Sequence, residues 1–392
     1  MYDYTIIGGG IVGLSVGMAL TEKYPGKKIL ILEKENELAS HQTGNNSGVI
    51  HSGIYYEPGS FKARFAKQGS RSMVDFCKKH DIDHDICGKV IVATNEEERP
   101  LLHNLYERGK KNKLDIKKLT RDELIEIEPH VNGVEAIFVS AAGIVDYKEV
   151  SEKFADIILM HDGDIHCGEE VKTIDERSDG VTIETNQTTY ETKFLINCAG
   201  LQSDRIAKMA GYHIDMKIVP FRGEYFKLKP EKSDLVSNLI YPVPDPEFPF
   251  LGVHFTRMIN GDIEAGPNAV LGFKREGYKK TDINLKDLAE VLTYPGFMRI
   301  ASKYMKVGMS EMVRSFSKRK FVESLQQLIP AVESDDLVTA PAGVRAQALN
   351  SDGELVDDFQ IVQGKKSLHV CNAPSPAATA SIEIGKEIVS RL

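Results

Sequence analysis

Tyr4-Thr5-Ile6-Ile7, Gly8-Gly9-Gly10-Ile11-Val12-Gly13 and, farther on, Ile29-Leu30-Ile31-Leu32-Glu33 form the stretch on which the fold turns. The apolar, β-branched run that stops at Gly8 reads as a short buried strand. Gly8, Gly10 and Gly13 carry the G-x-G-x-x-G spacing across the turn into a helix. The first glycine allows a tight turn, the second lets a pyrophosphate approach the backbone, and the third lets helix pack on strand. Ile11, Val12, Leu14, Met18 and Leu20 give that helix an apolar face, and Pro25-Gly26 ends it. The second apolar strand closes on Glu33, about 20 residues past the glycines, where a ribose-holding carboxylate belongs. A chance glycine turn before a surface Glu accounts for none of this spacing. The unit reads as dinucleotide-binding.

Length and composition bound what surrounds it. At 392 residues the chain predicts two domains. Hydrophobic residues at 42% and charged residues at 27% are those of a soluble globular protein. A net charge of −8 argues against nucleic acid as a partner. Cys77, Cys87, Cys167, Cys198 and Cys371 form no C-x-x-C pair, which predicts reduced thiols and a cytoplasmic setting. The first strand leaves no room for a signal peptide, and no apolar run approaches the roughly 20 residues that span a bilayer. The expectation is a cytoplasmic protein, or one resting on the inner face of the cell membrane. Metal binding is not expected, since no Cys-x-x-Cys occurs; G-x-S-x-G is absent too.

Along the chain, 39–56 is a polar, glycine-punctuated loop, and helices are predicted at 60–79, 101–114, Arg121–Ile127, 148–161 and 204–210. Strands are predicted at 87–94, 171–174, 181–184, 189–191, 194–197, 217–228, 250–257 and Ser367–Asn372. Residues 285–326 read as helical, and a last helix follows Pro374-Ser375-Pro376. Asn197-Cys198-Ala199-Gly200 makes a second strand–turn–helix unit like the first. The fold class is therefore α/β: a Rossmann-type nucleotide-binding domain (1–86, 143–215, 335–392) with a β-rich α+β substrate domain (87–142, 216–334) inserted.

Taken together, Gly8–Gly13, Glu33, the 43–56 loop, the Asn197–Gly200 turn and the closing helix resemble the FAD-dependent amino-acid and hydroxy-acid oxidoreductases. Glycine oxidase, sarcosine oxidase and glycerol-3-phosphate dehydrogenase belong to that superfamily. Within it, Asn45-Asn46-Ser47-Gly48-Val49-Ile50-His51-Ser52-Gly53-Ile54-Tyr55-Tyr56 and Pro249-Phe250-Leu251-Gly252-Val253-His254-Phe255-Thr256 resemble the L-2-hydroxyglutarate dehydrogenase family. The resemblance implies FAD as cofactor and a 2-hydroxy dicarboxylate as substrate. It puts cofactor contacts at Gly8, Gly10, Gly13, Glu33 and Lys34, and at Thr43, Gly44, Asn45, Asn46 and Ser47 of the loop. Val171 would lie by the adenine, Ala199 and Gly200 by the pyrophosphate, and Ala377, Thr379 and Ser381 near the isoalloxazine. The 374–377 segment departs from the family's glycine-rich pattern.

Oxidising a hydroxy acid needs a hydride acceptor and a base for the hydroxyl proton, and histidine suits that base. His51 and His254 lie in the two diagnostic strings, and the sequence does not choose between them. Arg345 matches the carboxylate-binding arginine of related enzymes, with Arg257 as second choice; Tyr55 and Tyr241 are candidate hydrogen-bonding partners. For each of these the rival is a structural or surface side chain.

Three functions compete: oxidation of L-2-hydroxyglutarate, an oxygen-using amine or amino-acid oxidase of the glycine-oxidase type, and flavin binding without turnover. His51, His254 and Arg345 in one chain favour an enzyme. Sarcosine-oxidase-like enzymes carry an oxygen-activating lysine where this chain has Phe250, which argues for another acceptor, a membrane quinone. Between 297 and 321, Phe297, Met298, Met305, Met309, Met312, Phe316 and Phe321 mix with Lys303, Lys306, Arg314, Lys318, Arg319 and Lys320. That mixture reads either as core-filling helix or as a basic apolar surface for anionic lipid.

Overall fold

The computed structural model describes residues 1–245, 251–304, 315 and 317–392. Its first sheet has eight strands and is built around Tyr2–Ile7, which pairs in parallel with Ile29–Leu32 on one side and Thr189–Asn197 on the other. Asp164–His166 extends it beyond Ile29–Leu32. Thr189–Asn197 serves two neighbours along its other edge: its first half pairs with Val181–Thr185, its second with Ser367–Asn372. The two short strands expected at 189–191 and 194–197 are thus one element. Lys193 between them points outward, so the polar interruption in the pattern is the solvent face of a continuous strand.

Helix Ile11–Lys23 is buried on nearly every side, by the sheet and by helices Tyr147–Met160 and Ser381–Ser390. Small residues allow that crowding: a Cβ on Gly17 would stand 2.7 Å from Ile158, and one on Gly385 2.5 Å from the Ser15 hydroxyl.

The second eight-stranded sheet runs Leu337–Thr339, Phe226–Leu228, Ile263–Gly266, His254–Arg257, Leu239–Pro242, Lys89–Ala93, Glu135–Val139, Ile116–Thr120. One face packs on helix Lys318–Leu325 through Phe255, Phe321 and Leu325. The other carries Ile91, Leu239 and Tyr241 against Ile54 and helix Arg99–Lys111. Lys217–Gly223 and Gly343–Leu349 form a smaller sheet with Val270–Leu271. Another joins Val49–Ile50, Gly143–Val145 and His84–Asp85.

Several boundaries differ from expectation. The run 217–228 breaks at Glu224-Tyr225, because its halves join different sheets. Strand 250–257 begins at His254 among the described residues, and the closing helix begins at Ser381, after a turn through 374–380. The described part of 285–326 includes helices Leu285–Leu292, Pro295–Lys303 and Lys318–Leu325, the first two separated at Thr293-Tyr294. Strands Ile116–Thr120, Glu135–Val139 and Asp164–His166 were not foreseen; each is short and follows a turn without clear alternation. No helix among the described residues is long and apolar enough to cross a membrane. All five cysteines are free, and Cys77, Cys198 and Cys371 are buried.

Candidate active site

The nucleotide end is shaped by close backbone approach. Gly8 has φ +112°, and a Cβ there would stand 2.4 Å from the Cys198 carbonyl; one on Gly13 would stand 2.0 Å from the Gly8 carbonyl. Gly10 at the N-cap offers no side chain to the helix from Ile11, and the first turn holds no acid, a setting that favours an anion at its positive end. Ile11 N–H donates to the Thr43 hydroxyl at 3.0 Å, which ties the 43–48 loop to the helix start. Glu33 is fixed by two backbone donors, Gly9 N–H at 2.7 Å and Glu35 N–H at 2.9 Å.

Asn45 donates to the carbonyls of Ser40 and His41, and Asn46 to those of Gln42 and Thr43, so both amides hold the loop's own turns. Asn46 Oδ1 then receives Gly48 N–H at 2.8 Å. A Cβ on Gly44 would meet the Ala39 carbonyl at 2.5 Å. Gly200 takes φ +52° beside Gln42, next to Ala199. Val171 is the buried first residue of its strand, where the register with its neighbour shifts. Ser381 keeps a buried hydroxyl with no partner. A helix start with glycine at its N-cap and no acid in its first turn, a cradle no Cβ can enter and an orphaned hydroxyl fit an extended dinucleotide. Lys34 pairs with Glu35, and with Glu276 at 3.1 Å, and lies 2.9 Å from His41 Nε2. Glu35, His41 and Glu276 converge closely enough to hold a metal ion, but the Lys34 ammonium already stands among them as their cation.

The second end forms on one face of the second sheet. Register places Leu239 beside Lys89 and opposite Thr256, so Lys89, Tyr241 and His254 share that face. The Tyr241 ring is 2% exposed and stacks on His254 with centroids 3.9 Å apart. Lys89 Nζ lies 4.5 Å from the Tyr241 ring centroid and 4.9 Å from that of Tyr55. His254 Nδ1 is 2.9 Å from the Gly252 carbonyl. A carbonyl accepts only, so Nδ1 carries the proton and Nε2 keeps its lone pair. His51 is set by its backbone: its N–H donates to the Thr379 hydroxyl at 3.1 Å. That hydroxyl in turn contacts the Val49 carbonyl and lies 2.8 Å from the Tyr147 hydroxyl. Thr379 therefore joins the 43–56 loop to the C-terminal segment.

Burial, reinforced by Lys89, His254 and Arg345, pushes His51 down to about 3. Burial, with Lys89 and Arg345 and against the Gly252 hydrogen bond, takes His254 down to about 4. Burial brings the Lys89 ammonium down to about 7. Arg345, on strand Gly343–Leu349, has protein on all sides yet keeps exposed surface. Tyr225 and Tyr56 are its nearest titratable neighbours, and burial keeps both phenols protonated. Lys62 sits 5.6 Å over the Tyr56 ring. The Tyr55 hydroxyl is buried and without a partner. Neutral imidazoles, a ring of tyrosines and several enclosed cations are an environment for an anion that gives up a proton.

The structure thus brings together His51, Tyr55, Tyr241, His254 and Arg345. It does not bring Arg257, which pairs with Asp85 beside Cys87 away from this group. Ser47 reaches the group through the Tyr241 hydroxyl. Phe250 lies outside the described residues. Sequence reasoning missed Lys89, Lys62, Tyr56, Tyr225 and Tyr147. Lys89 had a signal: it is the one charge in Lys89-Val90-Ile91-Val92-Ala93, a strand buried throughout.

Comparison with known proteins gives the lineage. The profile of a family described as FAD dependent oxidoreductase matches residues 3–391. An L-2-hydroxyglutarate dehydrogenase of Indibacter alkaliphilus is 52% identical over 98% of this chain and 97% of its own length. One of Escherichia coli K12 is 47% identical over 100% of this chain and 93% of its own. Among solved structures, an L-α-glycerophosphate oxidase from Mycoplasma pneumoniae with FAD bound aligns with TM-score 0.81 at 22% identity, covering 99% of this chain and 94% of that one. Glycine oxidase from Geobacillus kaustophilus follows at TM-score 0.74 and 16% identity, covering 99% and 94%. At such identities the likeness is one of fold.

Proposed function

This chain belongs to the FAD-dependent oxidoreductase family, with FAD as its cofactor, and on that premise we propose that it oxidises L-2-hydroxyglutarate to 2-oxoglutarate. The observation that carries the reading is the pairing of neutral His51 and His254 with the enclosed cations Arg345 and Lys89. Relatives at 52% and 47% identity, named for this activity, support it. FAD, when bound, supplies the acceptor for the hydride that leaves the α-carbon.

The protein's own residues do the rest. Arg345 offers a planar fork to a substrate carboxylate. His254 Nε2, left free by the Gly252 hydrogen bond, takes the hydroxyl proton, and His51 polarises the same hydroxyl. Tyr55 and Tyr241 line the site, Tyr55 with a hydroxyl to offer. Gly8, Gly10, Gly13, Glu33, the 43–47 loop, Ala199, Gly200 and the 377–381 segment hold the cofactor. The segments 1–86, 143–215 and 335–392 form the cofactor domain, and the remainder the substrate domain.

The electron acceptor in this reading is a membrane quinone. Leu285, Leu292 and Met298 expose large apolar side chains on helices Leu285–Leu292 and Pro295–Lys303, among Lys286, Arg299 and Lys303. Such a mixture suits shallow contact with anionic lipid. On the same stretch, Phe321 fills the core and Phe297 packs half-buried, whereas Met305, Lys306, Met309, Met312, Arg314 and Phe316 lie outside the described residues. Anaerobic mixing tests the central claim: L-2-hydroxyglutarate should bleach the flavin. Bleaching by glycine or sarcosine instead would make the protein an amine oxidase, and no bleaching by any of them would remove the enzyme reading.

A further inference from the structure

Lys89 is a charge with no counter-charge. It is 1% exposed, on a strand whose five residues are all buried, and no carboxylate among the described residues reaches its ammonium. What faces it is two tyrosine rings, Tyr55 and Tyr241, with Cys87 more remote. Ring faces attract a cation but do not replace the hydration of an ammonium. A lysine buried this way is destabilising unless something binds it, and it sits where His51 and His254 both feel its charge. Arg345 acts on the same two histidines from a different strand, so the two cations flank the histidines from separate elements.

We propose that Lys89 is a specificity-determining binding residue, the receptor for the second carboxylate of a dicarboxylate substrate whose first carboxylate Arg345 takes. The assignment rests on the hydroxy-acid reading above and adds to it the reason a dicarboxylate is preferred. Lys89 meets the carboxylate as ammonium, and the tyrosine rings hold its charge until the substrate arrives. Loss of Lys89 removes the preference.

The test measures equilibrium binding to the FAD-loaded protein by calorimetry, with glutarate and pentanoate as probes that differ in one carboxylate. Wild type should prefer glutarate by about tenfold to hundredfold, the worth of one charge-assisted hydrogen bond. Lys89→Met should bring that preference close to one while pentanoate binding stays unchanged. Equal losses for both probes, or an undiminished preference, would overturn the assignment. If Lys89→Met does not fold, wild type alone decides. Its preference should fade as pH rises past about 7, where Lys89 loses its proton, while Tyr55, Tyr241 and Cys87 stay protonated and His51 and His254 stay neutral. A preference constant from pH 6 to 9 overturns it. A preference that depends on Lys89 in a protein that does not oxidise hydroxyglutarate keeps this inference and removes the proposed reaction.

Discussion

His51 and His254 are neutral at physiological pH because of where they stand: both are enclosed, and the charges nearest them are positive. A base in that state accepts a proton without first losing one. The acid limb of kcat/KM reports the free enzyme's base, so it should lie below pH 5, not at the ~6.5 of an ordinary histidine. A limb centred at 6.5 would show that neither imidazole is the base. His51→Ala and His254→Ala should each retain FAD and slow flavin reduction by roughly a hundredfold; two fully active variants would end the proposed proton path. Arg345→Lys keeps the charge and loses the fork, with an expected loss of about tenfold in kcat/KM. Unchanged kinetics would move the first carboxylate elsewhere.

Two local constructions hold the site. At the first, the helix from Ile11 can present its amide end because Gly13 has no Cβ to strike the Gly8 carbonyl, 2.0 Å from where it would lie. Gly13→Ala should therefore purify without flavin, and a yellow variant of normal stoichiometry would contradict the cradle. At the second, the Thr379 hydroxyl gathers His51 N–H, the Val49 carbonyl and Tyr147. Thr379→Val strands these groups, so denaturant unfolding should show a loss of about 1–3 kcal/mol. Flavin should stay bound and its reduction by substrate should slow, because His51 is no longer anchored. Unchanged stability and unchanged reduction together would make Thr379 incidental.

Across the whole molecule, acid should loosen the fold through its buried histidines. His369 is fully buried between Asn197 and Ser367, and burial takes it down to about 4, beside His51 at about 3 and His254 at about 4. Unfolded histidines bind protons from pH ~6.5 downward while these native ones do not, so stability is full above 6.5 and falls as pH drops toward 4. Each contributes about 1.4 kcal/mol per pH unit in that window. A Tm constant from pH 6.5 to 4.5 would contradict the neutral assignment. At the same scale, the proposed quinone acceptor predicts fast reoxidation by a soluble quinone and slow reoxidation in air, and the exposed apolar residues around 283–298 predict co-sedimentation with anionic vesicles. Peroxide formed at the rate of substrate loss would make the acceptor oxygen.

What the sequence determined by itself was local. The glycine spacing, the strand leading to Glu33 and the helices Phe61–Lys79 and Arg121–Ile127 were all legible, because each is specified by neighbours within a few turns. His51, His254 and Arg345 were legible as candidates through the strings that hold them. Their convergence was not, since strands far apart in sequence had to become neighbours first. Arg257 shows the limit from one side: tertiary structure pairs it with Asp85. Lys89 shows it from the other. Its charge was visible in an apolar strand, but register and sheet order alone decided that it stands over Tyr55 and Tyr241, where burial makes a solitary cation a receptor for an anion.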